Sequence, residues 1–258
     1  MRDRLEAVVE IARQAGEVLL RHYRKVAGER KGDQSLVTIA DRESERLIRS
    51  ALERRFPGET IIGEEFGRTG LSDERVWFID PLDGTTNFVH RIPFWCVAIG
   101  LLEQGRPVLG VIHQPLLRET FHGAEGVGAW REDETLQPWP GREPFSSTDP
   151  IFLPPELAGR RLSFGAAVRV RSLGSAQLHL ALVAAGSARA GIWLGDYGWD
   201  LVAGAAICRA AGARVARLDG SEADLAVLAG GAPQPWPIVA AAPGTLPLFL
   251  DAMATVRK

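Results

Sequence analysis

Residues 77–88 read Trp-Phe-Ile-Asp-Pro-Leu-Asp-Gly-Thr-Thr-Asn-Phe. Val76 to Ile79 is an apolar run of strand character, and it empties into two aspartates, Asp80 and Asp83, followed at once by Gly84-Thr85-Thr86. Pro81 between the acids fixes φ and removes a backbone donor, so the segment is a rigid bend rather than a helix start. Carboxylates at the mouth of a buried strand stand where layered folds gather their ligands.

Outward from this stretch, further short apolar runs separated by glycine-bearing turns read as strands: Trp95 to Leu102, Val108 to Gln114 and Glu119 to His122, with GAEGVGAW as a tight hairpin. On the N-terminal side, Leu5, Val8, Val9, Ala12, Ala15 and Leu19 share one face of a predicted helix over residues 3–25. A short β-branched stretch, Ser35 to Ala40, leads into Asp41 and the helical pattern ESERLIRSALERRF, which Pro57-Gly58 ends. Residues 131–160 are rich in Pro, Glu and Arg without a period and are expected to be a linker or long loop. Beyond them the pattern predicts a strand over Leu162–Val170, a small-residue helix over Ser175–Ser187, a strand over Ala190–Leu194 and a helix over Asp200–Ala211 closed by Gly212. PIVAAA and LPLFLDAMATV supply a last strand and helix. This irregular alternation predicts an α+β fold, with an N-terminal α+β domain (1–135), a linker or loop (136–160) and a C-terminal α/β domain (161–258).

Asp41, Asp83 and Asp200 each stand directly before a predicted helix, a position that suits an N-cap. Capping does not account for Asp80, nor for Glu64-Glu65 after the apolar pair Ile61-Ile62. If these acids converge, two charges about 4 Å apart repel by roughly 4 kcal/mol at an effective dielectric of about 20. Hard divalent cations with oxygen ligands remove that cost. His and Cys are not clustered at metal spacing, which points away from zinc and toward Mg²⁺. The Gly84-Thr85-Thr86 backbone at the start of a helix offers an anion site beside the acids, and metal next to anion reads as phosphate chemistry.

Bulk properties narrow the classes. The 258 residues are 46% hydrophobic, with 30 basic and 32 acidic side chains and a formal charge of -2. Neither a basic block for nucleic acid nor an apolar run of membrane-spanning length is present. Cys96 and Cys208 are expected to be reduced core residues, and with no signal-peptide pattern at the start the chain is expected to be cytoplasmic. His90, His113, His122 and His179 are scattered and expected to have structural or surface roles, and Trp77, Trp95 and Trp130, which flank strands, are expected in the core.

Taken together and in chain order, VTIAD (37–41), GEE (63–65), WFIDPLDGTTNF (77–88), RSLGSA (171–176) and GWDLVAGAAICRAAGA (198–213) resemble the signatures of the inositol monophosphatase family, Mg²⁺-dependent and lithium-sensitive phosphatases. The resemblance implies an αβαβα sandwich of the sugar-phosphatase type, usually a homodimer. It implies Glu64, Asp80, the Leu82 carbonyl, Asp83 and Asp200 as ligands of two or three Mg²⁺, and Asp41 and Thr85 as the pair that orients and deprotonates the attacking water. Gly84, Thr85 and Thr86 would hold phosphate oxygens, and Gly174 and Ser175 would touch the alcohol part of a small phosphomonoester. Where inositol-acting members carry a glutamate, seven residues before the second-signature aspartate, this chain has Trp193. A tryptophan accepts no hydrogen bond from a polyol, so the ring of Trp193 is expected to meet a flat or apolar group of the substrate.

The expected activity is hydrolysis of a small phosphorylated metabolite by metal-activated water. Alternatives are the same chemistry on 3′-phosphoadenosine 5′-phosphate, histidinol phosphate or fructose bisphosphate, and a catalytically weak metal or metabolite sensor. A haloacid-dehalogenase-like nucleophile motif, Asp-x-Asp-Gly-Thr, fits poorly because Asp80 and Asp83 are one residue too far apart.

Overall fold

The apolar runs become strands because both of their faces are covered. In the computed structural model, which describes residues 1–26, 28–30, 36–154, 157 and 168–254, strand β5 (Arg75–Asp83) alternates its side chains between two cores. Val76 and Phe78 enter one core, Trp77 and Ile79 the other. The next strand, β6 (Cys96–Glu103), follows the same period of two, and β7 (Arg106–Gln114) does so from Leu109 to Ile112, while Val108 joins Leu109 in one core where the pairing of β6 with β7 shifts register. A sheet buried on both sides, here antiparallel except where β5 runs parallel to its neighbour Thr60–Gly63, loses the polar alternation of a half-exposed one, which is why the sequence shows continuous apolar runs.

One face of this sheet is covered by α1 (Arg2–His22) and α2 (Ile39–Arg55), whose apolar stripes share a core with Trp77, Ile79, Val97 and Ile99. The full eight-stranded sheet also contains β3 (Thr60–Gly63), β4 (Gly67–Thr69), β8 (Glu119–Ala124), β9 (Gly128–Arg131) and β10 (Glu134–Thr135), in the order β10-β9-β8-β7-β6-β5-β3-β4. Its other face receives α4 (Ala176–Ala184) and α5 (Gly198–Ala211). These helices also pack on a five-stranded sheet made of β11 (Pro150–Phe152), β12 (Arg169–Arg171), β13 (Ala190–Trp193), β14 (Arg214–Arg217) and β15 (Ile238–Ala241), in the order β12-β11-β13-β15-β14. Helix α6 (Leu246–Ala254) covers the far side through Leu246 and Phe249. The result is an αβαβα sandwich. A separate two-stranded ribbon pairs β1 (Glu29–Arg30) with β2 (Leu36–Val37). Among the described residues, no helix is long and apolar enough to cross a membrane.

Helix α5 lies unusually close to the large sheet. A Cβ at Gly110 would sit 2.0 Å from the Ala203 carbonyl oxygen, and one at Gly100 would sit 2.5 Å from the Ala203 nitrogen. The two glycines face each other across β6 and β7 and make the flat seat on which the helix rests.

Several expectations need correction. The stretch read as linker contributes β10 and β11, and β11 is a parallel strand between β12 and β13. Its three residues are too few to show a period among the surrounding prolines. Asp41 and Asp200 are not N-caps: Thr38 caps α2, Tyr197 occupies the N-cap of α5, and each aspartate is the third residue of its helix, reaching back to the N-cap backbone N–H. Asp83 is the last residue of β5, and Gly84 in left-handed conformation (φ 90°) precedes the short helix α3 (Thr85–Val89). The strand expected over Leu162–Val170 falls largely outside the described residues, as do Ser35 and the end of the last predicted helix.

Candidate active site

The end of β5 departs from its pairing with β6 between Asp80 and Asp83, where Pro81 has no N–H to donate. This bulge turns both carboxylates to the same side, and the Asp80 carboxylate is held by the Leu82 N–H at 3.0 Å. The Pro81 carbonyl accepts from the Ser44 hydroxyl of α2 at 3.1 Å. Gly84 is required at the exit because a Cβ there would lie 2.8 Å from the Phe94 carbonyl oxygen, besides the positive φ.

Asp83 is tied to the start of α4. Its Oδ2 accepts from the Ser175 hydroxyl (2.5 Å) and the Gln177 N–H (2.7 Å), its Oδ1 from the Ala176 N–H (3.3 Å), and Cys96 Sγ lies at 3.7 Å. The large sheet thereby grips the helix layer through a carboxylate. From the other side α5 delivers Asp200, whose Oδ2 accepts from the Tyr197 N–H at 3.0 Å. One carboxylate oxygen from each of Asp80, Asp83 and Asp200 lies within 4.8 Å of the others. Glu64, at the end of β3, is anchored by its N–H on the Ile79 carbonyl (3.2 Å) and faces the same group by charge.

Electrostatics mark the cluster as strained without a cation. Burial first, then the charges of Glu64, Asp83 and Asp200, push Asp80 well above the usual carboxylate range. Asp200 is raised well above it by burial and then by Asp83, Asp196 and Glu64. Asp83 is raised by burial, with its hydrogen bonds to Ser175, Gln177, Ala176 and Cys96 opposing. A compact set of carboxylate oxygens is what a hard divalent cation satisfies, and the donor set fits a small metal with oxygen preference.

Asp41 stands next to this cluster. Its Oδ2 takes the Thr38 N–H at 2.9 Å and the Thr38 hydroxyl at 2.6 Å, which leaves Oδ1 facing the Thr85 hydroxyl at 3.2 Å. The Thr85 hydroxyl also reaches the Leu82 carbonyl at 3.1 Å. Burial raises the Asp41 carboxyl to about 6, against the bonds from Thr38 and with help from the Glu65 charge. A carboxylate poised near neutrality beside a hydroxyl can take a proton passed through that hydroxyl.

The remaining predicted residues are placed less uniformly. Thr86 is exposed at the start of α3. Gly174 (φ 73°) packs on Asn87, whose amide donates to the carbonyls of Phe94 (2.6 Å) and Leu173 (2.7 Å). Ser175 is buried, and its hydroxyl is committed to Asp83 and to the Leu178 N–H at 3.2 Å, so it positions a carboxylate rather than meeting a substrate. Trp193 is 3% exposed, its ring folds back over Gly191, and its indole N–H donates to the Ala176 carbonyl at 3.3 Å. The expectation that its ring meets a ligand is corrected: the ring is part of the core that braces α4.

Four contributors escaped the sequence reading: Thr38, Ser44, Asn87 and Glu45. Glu45 is fully buried and accepts the N–H groups of Glu65 (2.7 Å) and Phe66 (3.2 Å) while paired with Arg49 at 2.7 Å, which fixes the loop after Glu64. The threonine three residues before Asp41 was a legible capping-box signal. Glu45 looked like one more charge on a helix. His179 is structural, accepting the Leu173 N–H at 2.8 Å and stacked on Phe152 at 4.3 Å.

A sandwich with an acidic centre at the meeting of sheet end and helix starts defines a layered α+β hydrolase of the sugar-phosphatase type. The chain matches the profile of the inositol monophosphatase family over residues 1–246. It is 38% identical to inositol monophosphatase 3 of Solanum lycopersicum over 238 residues, covering 86% of this chain and 88% of that protein. It is 34% identical to a fructose-1,6-bisphosphatase/inositol-1-monophosphatase of Thermotoga maritima, covering 86% and 88%. The crystal structure of the extragenic suppressor protein suhB from Bartonella henselae superposes with a TM-score of 0.84 at 30% identity, over 97% of this chain and 98% of that one. The protein belongs to the inositol monophosphatase family and is a phosphatase.

Proposed function

We propose that the protein is a Mg²⁺-dependent phosphomonoesterase that hydrolyses a small phosphorylated metabolite by direct attack of water. The observation that carries this reading is the acidic triad within 4.8 Å set beside the hydrogen-bonded Asp41–Thr85 pair. Glu64, Asp80, the Leu82 carbonyl, Asp83 and Asp200 are the proposed holders of two or three Mg²⁺. When bound, such ions supply a lowered water pKa and charge stabilisation at the leaving oxygen.

This chain's own residues do the rest. Thr38 locks Asp41 through Oδ2 so that Oδ1, already bonded to the Thr85 hydroxyl, takes the Thr85 proton. The Thr85 hydroxyl can then receive a proton from water on its lone pair. The backbone of Gly84, Thr85 and Thr86 would orient phosphate oxygens, with the left-handed Gly84 keeping that approach clear of a side chain. Ser175, Ala176 and Gln177 hold the Asp83 carboxylate in orientation, and Ser44 holds the Pro81 turn.

Stereochemistry at phosphorus tests the direct attack. Turnover of a substrate chiral at phosphorus should invert configuration, and no phosphate should remain on the acid-quenched protein. Retention, or an aspartyl-phosphate trapped at Asp80, would contradict it. By likeness to the Thermotoga maritima relative named for both activities, inositol phosphates and fructose bisphosphate are among the candidate substrates.

A further inference from the structure

Directly before Asp200 the chain runs Trp193-Leu194-Gly195-Asp196-Tyr197-Gly198-Trp199. The rings of Tyr197 and Trp199 lie 4.5 Å apart and 5° from parallel. Trp199 packs against the central core and its carbonyl accepts the Gln177 amide at 2.5 Å, so one side of the stack is fixed. Tyr197 is the outer ring and is 40% exposed. A ring stacked on one face and exposed to this degree presents its other face outward.

The segment that carries this ring is rigid. The Trp193 carbonyl accepts the Gln234 amide at 3.2 Å, the Asp196 carbonyl accepts the Gln234 N–H at 2.9 Å, and the Tyr197 N–H donates to Asp200 Oδ2 at 3.0 Å. The backbone of the exposed tyrosine is thus bonded to a carboxylate of the acidic triad. Large exposed aromatics are few among the described residues, and this one is joined through its backbone to a residue of the acidic triad and rests on a stacked support.

We infer that Tyr197, backed by Trp199, is a specificity-determining platform that takes a planar ring carried by the leaving alcohol of the substrate, so that ring-bearing phosphomonoesters are preferred over puckered polyol phosphates. The inference rests on the phosphomonoesterase reading above. A flat π-face offers offset stacking to another flat ring and only edge contact to a puckered one. Tyr197 contributes its N–H to the helix start through the backbone, so its side chain can be exchanged while that bond is kept.

The test compares benzyl phosphate with cyclohexylmethyl phosphate, which match in size and closely in leaving-alcohol basicity but differ in planarity. With Mg²⁺, the wild-type protein should favour the benzyl ester in kcat/KM by about fivefold or more, mainly through KM. Tyr197→Ala should bring the ratio near one, and Tyr197→Phe should keep the preference. Calorimetric titration with the non-hydrolysable benzylphosphonate and cyclohexylmethylphosphonate should show the same order of Kd. Equal ratios in wild type and Tyr197→Ala, or equal Kd values for the two phosphonates, overturn the platform. If neither ester is hydrolysed while the phosphonates still separate and Tyr197→Ala abolishes the difference, the phosphomonoesterase reading fails and the platform stands.

Discussion

Asp41 combines two properties at one residue: a fixed geometry imposed by Thr38 and a carboxyl raised to about 6 by burial. Asp41→Asn keeps the shape and removes the proton acceptor, so kcat should fall by about 10² to 10⁴ while Mg²⁺ affinity measured by calorimetry changes little. Ser175→Ala has the opposite signature. It strips the hydroxyl from Asp83 at 2.5 Å, and Mg²⁺ affinity should weaken by about 10- to 100-fold, as for other groups that orient a metal ligand. An unchanged affinity in Ser175→Ala would show that Asp83 is held by the Gln177 and Ala176 N–H groups alone. At this scale the sequence was informative where a residue type has few uses. Asp80-Pro81-Leu82-Asp83-Gly84 announces a rigid carboxylate turn, and it is one. Trp193 was misread because a tryptophan's role depends on which way its ring turns, and the small Gly191 that admits it to the core is visible only in the sheet.

Elements were legible wherever apolar periodicity was long, as in α1 and β5 to β8, and illegible where pairing partners decide, as in the three-residue β11. The approach of α5 to the sheet belongs to this second kind, since Gly100 and Gly110 read as weak points in strands until Ala203 is seen against them. Gly110→Ala should cost about 1–3 kcal/mol or more in stability, because its Cβ meets helix backbone rather than a side chain that can move. It should also lower activity by displacing Asp200, as read by thermal unfolding alongside turnover. A pH effect arises at the α1–β7 contact, where His113 lies so close that a Cβ on Gly16 would meet its ring at 2.6 Å. Burial lowers His113 to about 4, and burial lowers His179 to about 4. An unfolded histidine titrates near 6.5, so on acidification the unfolded chain takes up protons first. Stability from these groups is therefore complete above about 6.5 and is lost as pH falls from there toward 4. His113→Gln should flatten the fall of Tm across that window.

For the whole molecule, the acidic centre is where the large sheet, α4 and α5 meet, through Asp83 on one side and Asp200 on the other. Mg²⁺ should accordingly act as a fold-wide clamp, adding about 2.7 kcal/mol at a hundredfold excess over its Kd and raising Tm. Asp80→Asn should remove one repelling charge, so the metal-free variant should melt higher than metal-free wild type while its response to Mg²⁺ shrinks. A lower Tm for the metal-free variant would mean that hydrogen bonding, not charge, governs this turn. The layered architecture followed from the order of the elements together with the family signatures, whereas the joining of two sheets through one helix layer needed the packing of α4 and α5. The most direct measurement is phosphate release from a panel of inositol 1-phosphate, fructose 1,6-bisphosphate, histidinol phosphate, 3′-phosphoadenosine 5′-phosphate and a nucleotide monophosphate, with and without Mg²⁺, beside Asp83→Asn. Release that requires Mg²⁺ and disappears in the folded variant is the predicted result. Release that persists without divalent metal, or survives in Asp83→Asn at the wild-type rate, would contradict the account.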